Sequence, residues 1–197
     1  MPARAFQAAM ARLIVEPDFR DAVRAGGGAA LTGELTPLEA SRLAAIANDR
    51  GLDMNRTLHK GFRLGKLRAL LPLTCAALTP ARLAREVALF WQAHPPASFS
   101  FLPEALEFCD FLARRQLPSV YLAEVLAFER ATLELERARI DAPPPQSVRF
   151  RHDPVRLLGA LAAGRRPRAV PARPCLLLGS KSGDAPAHWT LVDAESR

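Results

Sequence analysis

The stretch His94–Ala131, HPPASFSFLPEALEFCDFLARRQLPSVYLAEVLAFERA, decides the fold. Pro95-Pro96 removes two backbone donors and ends the helix before it. Pro103-Glu104 puts a ring and an acid where the first turn of a helix accepts both. Leu106, Phe108, Phe111 and Leu112 then fall on one inward face. Pro118 opens a second, longer helix lined by Val120, Tyr121, Val125, Leu126, Phe128, Leu133 and Leu135, ending by Ile140. Glu124, Glu129, Glu134 and Glu136 interleave with Arg130 and Arg137 at three- and four-residue spacing, which predicts a solvated face. The stretch thus holds a Pro-Pro break and two helix starts marked by proline, and contains no catalytic motif.

Upstream, the chain reads as more helices. Phe6, Met10, Leu13 and Ile14 predict a helix over 4–14 that Pro17 stops, with a short turn through Phe19 and Val23. Gly26, Gly27 and Gly28 form a break. Thr36-Pro37-Leu38-Glu39 is a capping box with proline at the first helical position, opening a helix through Leu43 and Ile46. From Met54 to Leu78, Leu58, Phe62, Leu67, Leu70 and Leu71 predict an apolar face. His59, Lys60, Arg63, Lys66 and Arg68 predict a basic one, and Pro72 a kink or break. Thr79-Pro80 caps a further helix carrying Leu83, Val87, Leu89, Phe90 and Trp91 up to His94.

Downstream, DAPPPQ, residues 141–146, reads as a stiff linker, because three consecutive prolines favour an extended segment. The expected division is a helical domain over 1–141 and a small unit over 147–197. In the latter, Ser147–Arg151 alternates as a strand, Asp153-Pro154 caps a short helix, and Cys175–Leu178 and His188–Val192 read as a hairpin. The fold class is therefore α+β, mainly helical, with a C-terminal three-stranded, winged-helix-like unit. At about fifty residues that unit is too small to stand alone and should lean on the helices.

Composition adds a charge argument. The 197 residues are 49% hydrophobic and 24% charged, ordinary for a globular protein, with a net charge of +7. That balance suits an acidic partner, and a genome that prefers Arg gives the same excess. Cys75, Cys109 and Cys175 are odd in number and lack CxxC spacing, which argues against a disulfide framework or a zinc site. The N-terminus lacks a continuous apolar run and a cleavage site. No stretch reaches the roughly 18 apolar residues of a membrane span, so a cytoplasmic protein is expected. No Walker loop, GxGxxG, HExxH or GxSxG occurs. His59, His94, His152 and His188 are scattered, and Asp153 reads as a helix cap rather than a partner for His152 in catalysis.

One basic patch stands out: Arg149, Arg151, Arg156, Arg165, Arg166, Arg168 and Arg173, with Asp153 the only acid among them. It reads in three ways. It can be a solvated face, a phosphate-neutralising surface for nucleic acid, or a strand edge whose flanking arginines select an acidic, extended peptide.

Four segments recur in the same order in one family: FQAAMARLIVEPDFRDAV (6–23), LLPLTCAAL (70–78), FWQAHPPASFSFLPEALEFCDFL (90–112) and YLAEVLAFERA (121–131). The tail, VRFRHDPVRLLGALAAGRRPR and PCLLLGSKSGDAPAHWTLVD, suits it too. The chain resembles the partner proteins of TIM-barrel multinuclear iron oxygenases, which modify cysteines of ribosomally made peptides, as in methanobactin biosynthesis. That resemblance implies a non-catalytic subunit in a heterodimer, with the iron in the barrel enzyme and no cofactor or metal ligand in this chain. It also implies help in binding the leader of a Cys-containing precursor by strand addition. The residues assigned to the peptide are Arg149, Phe150, Arg151, Leu176, Leu177 and Leu178. Those assigned to the partner enzyme are Pro95, Pro96, Phe99 and Phe101. The helical half is also similar to a family described as DNA-binding domains, which keeps a nucleic-acid-binding regulator as the alternative.

Overall fold

Proline and threonine mark most of the helix starts. The computed structural model describes residues 2–26, 31, 35–94, 101–138 and 143–193. In chain order the elements are α1 (Pro2–Val15), α2 (Pro17–Gly26), α3 (Pro37–Ala47), α4 (Arg50–Leu70), α5 (Pro72–Ala77), α6 (Pro80–Ala93), α7 (Phe101–Arg114) and α8 (Leu122–Arg137). The tail adds β1 (Gln146–His152), α9 (Pro154–Ala162), β2 (Ala172–Ser180) and β3 (His188–Asp193). The fold is α+β: a mainly helical region, then a small antiparallel sheet.

Local chemistry explains the helix boundaries. Thr36 accepts from the Glu39 N–H, and the Glu39 carboxylate accepts from the Thr36 N–H at 2.8 Å, completing a capping box. Those bonds hold the Glu39 carboxyl below its ordinary value. Thr79 and Asp153 cap α6 and α9 through the Arg82 and Arg156 N–H groups. Gly164 takes a φ of 67° just past α9. Its N–H donates to Leu161 O, and that of Arg165 to Ala160 O, each at 2.9 Å, which is a Schellman closure.

The chain forms two compact units, Met1–Arg63 and Leu64–Arg197, and their border in the sequence falls within α4. In the first, Leu13, Val23, Leu43 and Ala47 make the core, with Phe6, Met10, Phe19 and Leu52 around them. Buried Arg20 and half-buried Arg24 both reach Asp53, at 2.9 and 2.8 Å. Arg24 also donates to the Ala47 carbonyl, an orphan acceptor at the end of α3.

The second unit has two cores, and α8 serves both. Leu122, Leu126 and Leu133 join Leu67, Leu71, Leu83, Phe90, Phe108 and Leu112. Phe90 lies 5.1 Å from Phe108 and 5.6 Å from Phe111, centroid to centroid. Burying a side chain such as Phe90 stabilises by about 1.5–3 kcal/mol. On its other side, Val125 and Ala131 join Val148, Phe150, Leu157, Leu161, Cys175 and Leu177. The sheet thus leans on α8, and α9 on α5, and buried Pro143, in the proline run expected to be a linker, lies within this unit.

The sheet runs in the order β1-β2-β3, all antiparallel. Cross-strand rows are Arg149–Leu176–Val192, Ser147–Leu178–Thr190 and Gln146–Gly179–Trp189. Gly179 is required: a Cβ there would sit 2.7 Å from carbons of the Trp189 ring.

Several expectations are corrected. Pro17 lies just past the end of α1, as expected, but it also starts α2, a full helix where a turn was expected. The break expected at Pro72 is present, between α4 and α5. Pro118 does not open α8, which starts at Leu122 without a side-chain cap. The alternating charges of α8 do not make a solvated face, since Glu124 and Glu129 are buried. On α4, Leu67 is buried, but Leu58 and Phe62 face solvent, and Arg63, expected on the basic face, is buried.

Candidate functional site

Strand alternation sorts the six residues assigned to a peptide. Phe150 and Leu177 point into the core, 2% and 7% exposed. Arg149, Arg151 and Leu178 are exposed and Leu176 half-buried on the opposite, outer face. Directly opposed residues of antiparallel strands share a face, so Arg149, Leu176 and Val192 form one row across all three strands. Leu178 stands between Ser147 and Thr190 in the next. The outer face is therefore an apolar strip bordered on the β1 side by two arginines.

β2 is the central strand, so its main chain is paired on both sides and an added strand cannot use it. The available edges belong to β1 and β3. One end of β1 is already occupied. Glu124 of α8 accepts from the Arg151 and His152 N–H groups at 3.2 and 3.3 Å, and its other oxygen lies 2.8 Å from His152 Nδ1. Tyr121 packs edge-on against His152, centroids 4.9 Å apart, and its hydroxyl accepts from the Val170 N–H at 3.1 Å. No strand pairs with the outer edge of β3 among the described residues.

Beneath the sheet, Phe128 packs against Trp189 and Phe150, at 4.9 and 6.3 Å. Glu136, at the end of α8, holds the β2–β3 connection. It accepts from Lys181 Nζ at 2.8 Å and from the Ala187 N–H at 2.9 Å, and these bonds keep its carboxyl below the usual range. The remaining arginines of the patch, Arg156, Arg165, Arg166 and Arg168, are exposed around α9 and the loop after it. Arg173 lies 3.7 Å from Asp153, whose other oxygen caps α9.

Of the residues assigned to a partner enzyme, Pro95, Pro96 and Phe99 lie outside the described residues. Phe101 opens α7, half-buried, with Lys66 Nζ 5.8 Å from its ring centroid. An open, mostly apolar cleft of about 280 Å³ is lined by Arg68, Pro72, Cys75, Ala76, Leu78, Pro80 and Leu83. Burial pushes the Cys75 thiol up to about 12, so at neutral pH it is a protonated thiol and a poor nucleophile. Among the described residues, no three His, Cys, Asp or Glu side chains gather as metal ligands would. No helix among them is long and apolar enough to cross a membrane.

Sequence reading missed the Glu124–His152–Tyr121 cluster. His152 was visible beside Asp153, but its partner Glu124 lies 28 residues upstream on another element, so no local spacing reports it. Val192 and Thr190 were missed as part of the outer face because only strand register reveals them. No protein-family model matches the chain, and no curated protein matches its sequence.

Proposed function

We propose that this chain is a cytoplasmic, non-catalytic recognition subunit. It binds an extended precursor peptide on its C-terminal sheet and presents it to a partner enzyme, a TIM-barrel iron oxygenase that modifies the peptide's cysteines. The iron belongs to that partner. The observation that carries the peptide reading is the sheet itself. Among the described residues no strand pairs with one side of the edge strand β3, which lies beside an outer face with Arg149, Leu176 and Val192 in register. A peptide added there gains main-chain bonds along β3, and the two arginines, across the sheet on β1, meet acidic side chains of the part of the peptide that crosses the outer face. The partner enzyme rests on the family resemblance alone.

The test has two arms. Co-expression with the barrel enzyme should yield an iron-containing one-to-one complex on size exclusion, and clean separation of the two proteins overturns the partner reading. Arg149→Glu with Arg151→Glu should weaken binding of the precursor leader while leaving the circular dichroism unchanged. Unaltered affinity removes this face from the site.

A second reading, a nucleic-acid-binding regulator, draws on the exposed Arg156, Arg165, Arg166 and Arg168. It requires duplex DNA binding at low salt that falls steeply as salt is added.

A further inference from the structure

We infer that α4 is a joint: a helix held at both ends and unsupported in its middle, which uncoils over residues 57–62 while the cores at either end stay closed. Thr57, Leu58, His59, Lys60, Gly61 and Phe62 are all exposed. Six consecutive residues take in every face of a helix, so over this stretch no face of α4 is buried. In proteins most helical stability comes from packing one face against a neighbour, and a short helix left to its own hydrogen bonds is marginal in water.

The residues of the stretch weaken it further. Gly61 lies inside it and Gly65 one turn beyond, and glycine is the poorest helix former after proline. A Cβ at either would meet nothing within 4 Å, so neither glycine is there to make room. The Thr57 hydroxyl donates to the Asp53 carbonyl at 3.0 Å, a back-bond of the kind that slightly destabilises a helix.

The two ends are held differently. Toward the N-terminus, Leu52 packs on the core of the first unit, and Asp53 takes Arg20 and Arg24 at 2.9 and 2.8 Å. Toward the C-terminus, Leu64, Leu67 and Leu70 belong to the core built around Phe90 and Phe108, and Arg63 just before them is buried. Among the described residues neither core draws a side chain from 57–62. Opening this stretch therefore breaks backbone bonds of α4 and little else. An uncoiled residue reaches up to about 2 Å further along the chain than a helical one, which makes α4 an extensible link rather than a strut. None of this depends on the peptide-binding reading of the sheet.

The experiment is hydrogen–deuterium exchange of the full-length chain, read by mass spectrometry on peptides covering α4, α6 and α7. The amides of Leu58–Phe62 should exchange at least about a hundredfold faster than those of Phe90 and Leu112. Their rate should be flat in low urea, because a local opening exposes little new surface. Gly61→Ala should slow that exchange by about fivefold, the preference of a helix for alanine over glycine. Gly65→Ala should add to the effect, while exchange in α6 and α7 is unchanged and the thermal midpoint holds or rises. Gly159→Ala, at an equally open glycine in α9, should leave 57–62 as it was. Exchange of 57–62 as slow as that of α7 overturns the proposal. So does a rate that climbs with urea in step with the cores, because α4 then opens only when the fold does. Fast exchange that neither Gly61→Ala nor Gly65→Ala slows overturns it as well.

Discussion

Glu129 carries more structural responsibility than its place in a charged helix suggests. Its two oxygens accept from the Leu73 and Thr74 N–H groups, both at 2.7 Å, capping α5 from α8. Burial pushes its carboxyl above the ordinary value, against those hydrogen bonds. Glu129→Ala leaves those donors without their acceptor and should cost about 2–3 kcal/mol, read from the urea midpoint. The pH dependence has a definite sign. A carboxyl raised in the folded state binds protons more tightly there, so its contribution is full below the unfolded pKa and fades as pH rises through the raised one. The penalty of Glu129→Gln should therefore shrink as pH rises through that window. A penalty that grows with pH would contradict the assignment. Cys109 is fully buried and its thiol, like that of Cys75, is pushed up to about 12 by burial. Both should resist Ellman's reagent near neutral pH until urea opens the fold.

At the scale of elements, α8 is fastened to its surroundings through carboxylates, to β1 by Glu124 and to the β2–β3 connection by Glu136. A double-mutant cycle on Glu124→Ala and His152→Ala should return a coupling of about 1–3 kcal/mol, and additive effects would show that the contact is incidental. Glu136 has the opposite pH behaviour from Glu129. Its lowered carboxyl stabilises above the ordinary carboxylate range, and that contribution disappears as pH falls through the lowered value. Wild type and Glu136→Gln should thus converge in stability on acidification, from a difference of under about 1 kcal/mol, since the carboxylate of the pair is exposed. These fastenings also show where sequence reading works. Thr36, Thr79 and Asp153 were legible because a cap and its helix lie within three residues. Glu129 was not, because Leu73 and Thr74 lie 56 and 55 residues away, and a glutamate in a run of alternating charges reads as solvated. Strand existence was legible from alternation. The inward direction of Phe150 and Leu177 was not assigned, because the register of β1 on β2 decides it.

For the whole molecule, the excess of basic charge sets how it meets partners. With a net charge of +7, association with any acidic partner should be steered, and its rate should fall as salt rises while dissociation changes little. Stopped-flow association at low and high salt checks this, and a salt-independent rate would mean that charge does not guide the encounter. The double duty of α8 has a consequence for how the molecule is made. On the ribosome, α8 emerges with one side ready to close on α6 and α7, while Val125, Phe128 and Ala131 wait for strands not yet translated. At ordinary synthesis rates that wait is on the order of seconds. The nascent chain therefore passes through a half-clad stage in which a future interior lies open to water, and early termination would strand it there as a client for chaperones.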